Sequence, residues 1–154
     1  QLSLEETQDA MKHCLSQIKQ LNPSVAVIST ISPVSQVRSG LQENFLSKSV
    51  LRAALSQTAW ADHYFPAYEI FMDELRDYRF SAIDLAHPNE QAQAYIWERF
   101  IDTYLSSEMK VKYKDIMAYR ALEQHRPKQN PEAHQSLLEQ KKKELQRRIP
   151  EAVI

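Results

Sequence analysis

Asp84-Leu85-Ala86-His87 is the stretch of this chain best suited to chemistry. An Asp three residues before a His lets a carboxylate accept from one imidazole nitrogen and hold the ring's orientation. The other nitrogen is then free to take a proton from a nucleophile. This makes His87 a candidate general base and Asp84 its orienting partner. Pro88-Asn89 follows at a helix-start signal, and Phe80, Ala82 and Ile83 approach like a strand or a buried loop. A plainer role uses the same residues without chemistry: Asp84 closes a turn, and His87 caps or packs.

A base needs a nucleophile, and none stands out. Ser47 and Ser49 flank Lys48 in a helical segment with no glycine turn to expose a hydroxyl. Ser32 ends an apolar run, and ligands of open α/β sheets gather at the carboxyl ends of strands. It is a candidate binding residue, weighed against the simpler task of starting a Ser-Pro turn. The run Asp73-Glu74-Leu75-Arg76-Asp77-Tyr78-Arg79-Phe80 carries both signs of charge at i, i+3 and i, i+4. Such a run is usually a solvated, self-paired face. Arg76 or Arg79 could instead bind a carboxylate or orient the Asp84 loop. His13, His63, His125 and His134 lack the spacing of metal ligands, so no metal is expected. Cys14 falls on the apolar face of the first helix and is expected in the core.

Bulk properties narrow the classes further. The net charge is -1 and the pI about 6.6, which gives no overall attraction to nucleic acid or an anionic membrane. Gly40 is the only glycine among 154 residues. P-loops, dinucleotide turns and the G-x-S-x-G elbow each need several, so none is present and no cofactor is expected. One cysteine forms no internal disulfide. No run is long and apolar enough for a membrane span. The opening from Gln1 lacks a signal-peptide pattern, which with the single cysteine favours the cytoplasm. A start without Met reads as a piece of a longer protein.

The elements that must position these residues follow from periodicity. Ser3 and Glu6 form a capping box before a helix that ends at Asn22-Pro23. Val25 to Ile31 predicts a strand buried on both faces, as in a parallel sheet. Ser35 to Asn44 reads as a loop. Phe45 to Trp60 reads as a helix with Val50, Leu51, Ala54 and Leu55 inward and Lys48 and Arg52 outward. His63 to Tyr68 reads as a second strand cut short by Pro66, and Ile70 to Tyr78 as a short helix or turn. Asn89 should cap a helix through Leu105, with Ala92, Tyr95, Ile96, Phe100 and Tyr104 placed for packing. From Met109 the chain is charged and helical, broken at Arg126-Pro127 and Asn130-Pro131. Its Lys141-Lys142-Lys143 run is interleaved with glutamates and reads as a solvated helix. The order is that of an α/β layered domain over residues 1–108 with a helical extension over 109–154. Two strands are few for a sheet, so further strands are expected from outside this sequence.

Five ordered blocks resemble the GSCFA family. They are Ile31-Ser32-Pro33-Val34, Ser47-Lys48-Ser49-Val50-Leu51-Arg52, Tyr64-Phe65-Pro66-Ala67-Tyr68-Glu69-Ile70, the Asp73 to Phe80 run, and Asp84-Leu85-Ala86-His87-Pro88. The resemblance runs from about Val25 to Phe100, and more weakly through Ala121 to Pro127. That bacterial family is related to the SGNH hydrolases, which implies a partial three-layer α/β/α domain with a parallel sheet, helix-rich here and carrying the charged extension. It also implies ester hydrolysis, often of O-acyl groups on sugars, with the closing D-x-x-H block falling on Asp84 and His87. The Gly-Ser-Cys-Phe-Ala motif that names the family, and whose Ser would be the nucleophile, is absent. The resemblance therefore implies the C-terminal part of such a domain, partnered by a missing N-terminal half and inactive alone. The alternative is a non-catalytic α/β module that binds a carbohydrate or a partner protein.

Overall fold

The computed structural model describes residues 2–57, 61–127 and 130–150. The chain divides into two compact units, Gln1–Phe100 and Ile101–Ile154.

The first unit is built on two short strands. β1 (Ile28–Thr30) and β2 (His63–Phe65) pair in parallel, with Ile28 opposite His63 and Thr30 opposite Phe65. Parallel neighbours need a crossover, and α2 (Gly40–Ser56) supplies it. The ladder gains a side-chain rung: Asp62 Oδ2 accepts from the Val27 N–H at 2.7 Å and from Lys19 Nζ at 3.1 Å. The Val27 N–H first, and Lys19 second, hold the Asp62 carboxyl below its usual range.

α1 (Leu4–Leu21) carries both halves of the expected capping box: Ser3 Oγ accepts from the Glu6 N–H, and Glu6 Oε2 accepts from the Ser3 N–H. It packs on α2. Cys14 is exposed rather than in the core, because the inward stripe runs through Leu4, Thr7, Met11 and Leu15 and leaves Cys14 beside it.

Two further expectations are corrected. β1 is not buried on both faces: Ile28 is 37% exposed, and only Ile31, just beyond the strand, is fully inside. A two-stranded sheet leaves each strand an open edge. The polar segment expected as a loop folds into a tight turn, Val37–Ser39, and then the first turns of α2. Gln36 N–H donates to Asn44 Oδ1 at 2.7 Å across that start, and Gly40 sits at φ 78, where a side chain is disfavoured. Leu41, Phe45 and Leu46 are exposed, so no buried stripe marks these turns in the sequence. The expected end of the helix at Trp60 lies outside the described residues.

After β2 comes α3 (Ala67–Glu69), which widens into a helical turn over Ile70–Glu74 closed by Leu75 N–H to the Ile70 carbonyl. Ile70 and Leu75 are buried and anchor it. A 3-10 turn, Tyr78–Phe80, is capped by Asp77. Asn89 caps α4 (Glu90–Tyr104) as expected: its Oδ1 accepts from the Ala92 N–H at 3.0 Å. Ala92 and Ala54 are fully buried, and Phe65 meets Phe100 edge to face.

The second unit is a helical hairpin of α5 (Ser107–Gln124), capped by Ser106, and α6 (Pro131–Arg148), capped by Asn130 with Pro131 in the first turn. Tyr119, Leu145 and Ile149 form its core, and Arg148 pairs with Asp115. No described helix is long and apolar enough to cross a membrane.

Candidate functional site

Phe80 to Asn89 folds back on itself. The Asn89 N–H donates to the Phe80 carbonyl at 2.9 Å and the Ala82 N–H to the His87 carbonyl at 2.8 Å, with Ser81 facing Pro88 in an antiparallel bridge. Asp84 fills the loop they enclose. Its Oδ1 accepts from the N–H groups of Ala86, at 3.0 Å, and His87, at 3.1 Å. Leu85, at φ 55, takes the left-handed conformation that makes this possible. Asp84 Oδ2 lies 2.7 Å from His87 Nδ1. One Asp84 oxygen thus closes the turn and the other meets the ring.

The Ala86 N–H is the largest cause that holds the Asp84 carboxyl down, to about 2, followed by the His87 ring and the His87 N–H. A carboxylate accepts only, so the geometry favours the tautomer with the proton on Nδ1 and leaves Nε2 as an acceptor. The side chains of His87 and Asp84 are 56% and 50% exposed. The backbone beneath them is fixed. Ala86 and Pro88 are buried, the Ala86 carbonyl accepts from the Ser35 N–H at 2.8 Å, and Gln93 Nε2 donates to the Pro88 carbonyl at 2.8 Å. Asn89 Nδ2 donates to the Arg79 carbonyl at 2.6 Å, which joins the helix cap to the turn.

Ser32 sits in the loop that Ser35 ties to this turn. Its Oγ accepts from the Val34 N–H at 3.3 Å, the turn-starting role, and its carbonyl accepts from Lys48 Nζ at 2.6 Å. Arg76 and Arg79 pair with their own neighbours, Asp73 and Asp77, and Arg79 lies over the Phe80 ring. Among the described residues, no cluster of three His, Cys, Asp or Glu side chains could hold a metal ion.

A second group of side chains was not foreseen as a unit. Arg52 is exposed, as expected, and Lys48 is half-buried, and both reach β2 and α3. Arg52 Nε donates to Glu69 Oε1 at 2.9 Å and its guanidinium lies 4.7 Å from the Tyr64 ring centre. The Tyr64 hydroxyl donates to Glu69 at 2.8 Å. Burial first, then Glu69, raises the Tyr64 phenol far above its usual range. Lys48 Nζ stands over Tyr68 at 5.6 Å. The one sequence signal is the four-residue spacing of the two cations within one motif block, opposite the Tyr64 to Ile70 block. On the other side of the sheet, a mainly apolar groove of about 380 Å³ runs past Ile28, Phe65, Pro33, Pro88 and Trp97, next to the His87 turn.

A family model described as the GSCFA family matches residues 1–100. The chain belongs to the GSCFA family. No curated protein and no solved structure matches it. In this GSCFA protein the match coincides with the first compact unit and holds all five motif blocks. It begins before Val25, so α1 is part of the family region, and the segment Ala121 to Pro127 falls outside it.

Proposed function

We propose that this GSCFA chain carries the acid–base part of an SGNH-like ester hydrolase, in a partial three-layer α/β/α domain. The observation that carries this reading is the 2.7 Å contact of Asp84 Oδ2 with His87 Nδ1 on a turn held by backbone bonds. It leaves Nε2 open and the ring exposed. The substrate class is an ester, with an O-acylated sugar as the family-level choice. The groove beside Pro88 is apolar, as an acyl group requires.

The chemistry follows from these positions. A serine hydroxyl supplied from outside these 154 residues gives its proton to His87 Nε2 as its oxygen attacks the ester carbonyl. Asp84 balances the imidazolium. Collapse of the tetrahedral intermediate expels the alcohol, which takes that proton from His87. Water then hydrolyses the acyl-serine by the same exchange.

The test is labelling with a fluorophosphonate, which traps activated serines. Compared are this chain, a form lengthened upstream through a Gly-Ser-Cys-Phe-Ala motif, and the lengthened His87→Ala variant. Labelling of the lengthened wild type alone is expected. No labelling of any form, or equal labelling of the variant, overturns the reading. The second reading is a non-catalytic carbohydrate- or protein-binding module. In its favour, no hydroxyl or thiol among the described residues hydrogen-bonds to His87 Nε2. Tight binding without turnover, unchanged in Asp84→Asn, would support it.

A further inference from the structure

One face of α2 presents Phe45, Lys48, Ser49, Arg52 and Ser56 to an open cleft of about 670 Å³, closed on the other side by Tyr68 and Glu69. The eleven helical steps from Phe45 to Ser56 give the cleft a length of about 16 Å. Lys48 and Arg52 are four apart on this face, a like-charge spacing that weakens a helix.

The charges in the cleft do not balance. Glu69 is held between Arg52 and Tyr64, so it answers one cation only. Among the described residues, Lys48 has a backbone carbonyl and an aromatic ring as neighbours but no carboxylate. Burial pushes its ammonium down, the mark of a charge that has lost water without gaining a counter-ion. One of its three N–H groups is engaged by Ser32, and Arg52 uses Nε while, among the described residues, its two terminal nitrogens have no hydrogen-bond partner. The cleft thus carries one unanswered positive charge, spare forked donors, serine hydroxyls and a tyrosine ring along its length.

We infer that this cleft binds an acidic sugar chain, with a carboxylate on Lys48 and Arg52 and a sugar ring against Tyr68. A compact anion would meet the two cations alone. The hydroxyls of Ser49 and Ser56 donate to the Phe45 and Ala53 carbonyls of their own helix, so their oxygens serve a ligand as acceptors. With the ring and the length, they call for a ligand that is elongated, hydroxylated and flat-faced as well as charged. The inference narrows the sugar of the catalytic reading to an acidic one. Binding is read without turnover, so His87→Ala should bind as the wild type does, and the two can fail separately.

The experiment is calorimetric and NMR titration of the chain with trigalacturonate, maltotriose, triglutamate and inorganic phosphate. Trigalacturonate should bind tightest and shift the amides of α2 and of Tyr68. Lys48→Met should weaken it on the order of 10-fold or more, as loss of a charged hydrogen bond does, and Lys48→Arg should restore most of the affinity. Should Lys48→Met fail to fold, Arg52→Gln and the fall of affinity with salt serve in its place. Trigalacturonate that fails to bind, binds no tighter than maltotriose, triglutamate or phosphate, or keeps its affinity when these cations are removed overturns the inference.

Discussion

The Ser35 N–H donates to the Ala86 carbonyl at 2.8 Å. This bond fastens the loop leaving β1 to the turn that carries Asp84 and His87. Three residues earlier, the Ser32 carbonyl accepts from Lys48 on α2. The strand exit, the crossover helix and the Asp–His turn are therefore one bonded series, although some fifty residues of sequence separate Ser32 from Asp84. A change on α2 can reach the turn through two hydrogen bonds.

Asn89 should be the most costly polar residue to lose near the site. Its side chain caps α4 through Ala92 and holds the Arg79 carbonyl. Asn89→Ala removes both bonds and should cost about 1–2 kcal/mol. Asn89→Asp keeps the cap but loses the donor and should fall between. Urea unfolding measures the series, and an Asn89→Ala midpoint equal to the wild type would mean that neither bond contributes.

Leu85 is exposed and left-handed, a conformation that costs a leucine about 1–2 kcal/mol. Asn tolerates it better, so Leu85→Asn should stabilise the chain by about 0.5–1 kcal/mol. Leu85→Val adds a branch at Cβ and should destabilise it by about 1 kcal/mol. Thermal unfolding decides, and the opposite order would mean that the turn does not hold Leu85 in this conformation.

The pH response of the turn has a definite sign. Asp84 titrates at about 2 in the folded chain, against an ordinary value of about 3.9. A depressed folded pKa gives stability that is fully present above the unfolded value and is lost as pH falls through the folded one. The Asp84 turn should thus be unaffected at neutral pH and should loosen only between about 4 and 2. Amide NMR signals of Ala86 and His87 should move together with a midpoint near 2. Asp62 and Glu6, also lowered by hydrogen bonds to backbone N–H groups, should add to instability over the same acid side. An Asp84 midpoint at the ordinary value would show that the carboxylate is not held.

What the sequence revealed was what its neighbours decide. The Ser3–Glu6 capping box, the Asn89 cap and the Asp84–His87 pair each span three residues, and local geometry fixes them. The parallel pairing of β1 and β2 was legible from two apolar runs flanking a helix. The burial of β1 was not, because it depends on how many strands flank it. Arg52 is exposed, as its place on the helix implies, but what it and the half-buried Lys48 meet was not legible for a related reason: their partners Tyr64, Tyr68 and Glu69 lie beyond a crossover. A helical wheel shows a charged face without showing what the face meets. The first turn of α2, Gly40 to Asn44, was not legible because a glycine followed by mostly polar residues, with Leu41 the one apolar side chain, gives no apolar period.

Asp84→Asn separates the two tasks of the carboxylate. An amide oxygen can still accept from the Ala86 and His87 N–H groups, so the turn should persist and the amide spectrum should stay close to that of the wild type. The other side-chain atom becomes an NH2, a donor where His87 Nδ1 now meets an acceptor. The ring should then shift its proton to Nε2, which removes the acceptor a base needs. Nitrogen-15 shifts of His87 at neutral pH should show the two nitrogens exchanging roles. In a lengthened, active form, turnover should fall by about 10²–10⁴-fold. A His87 tautomer unaltered by the substitution would mean that Asp84 closes the turn and does not orient the base.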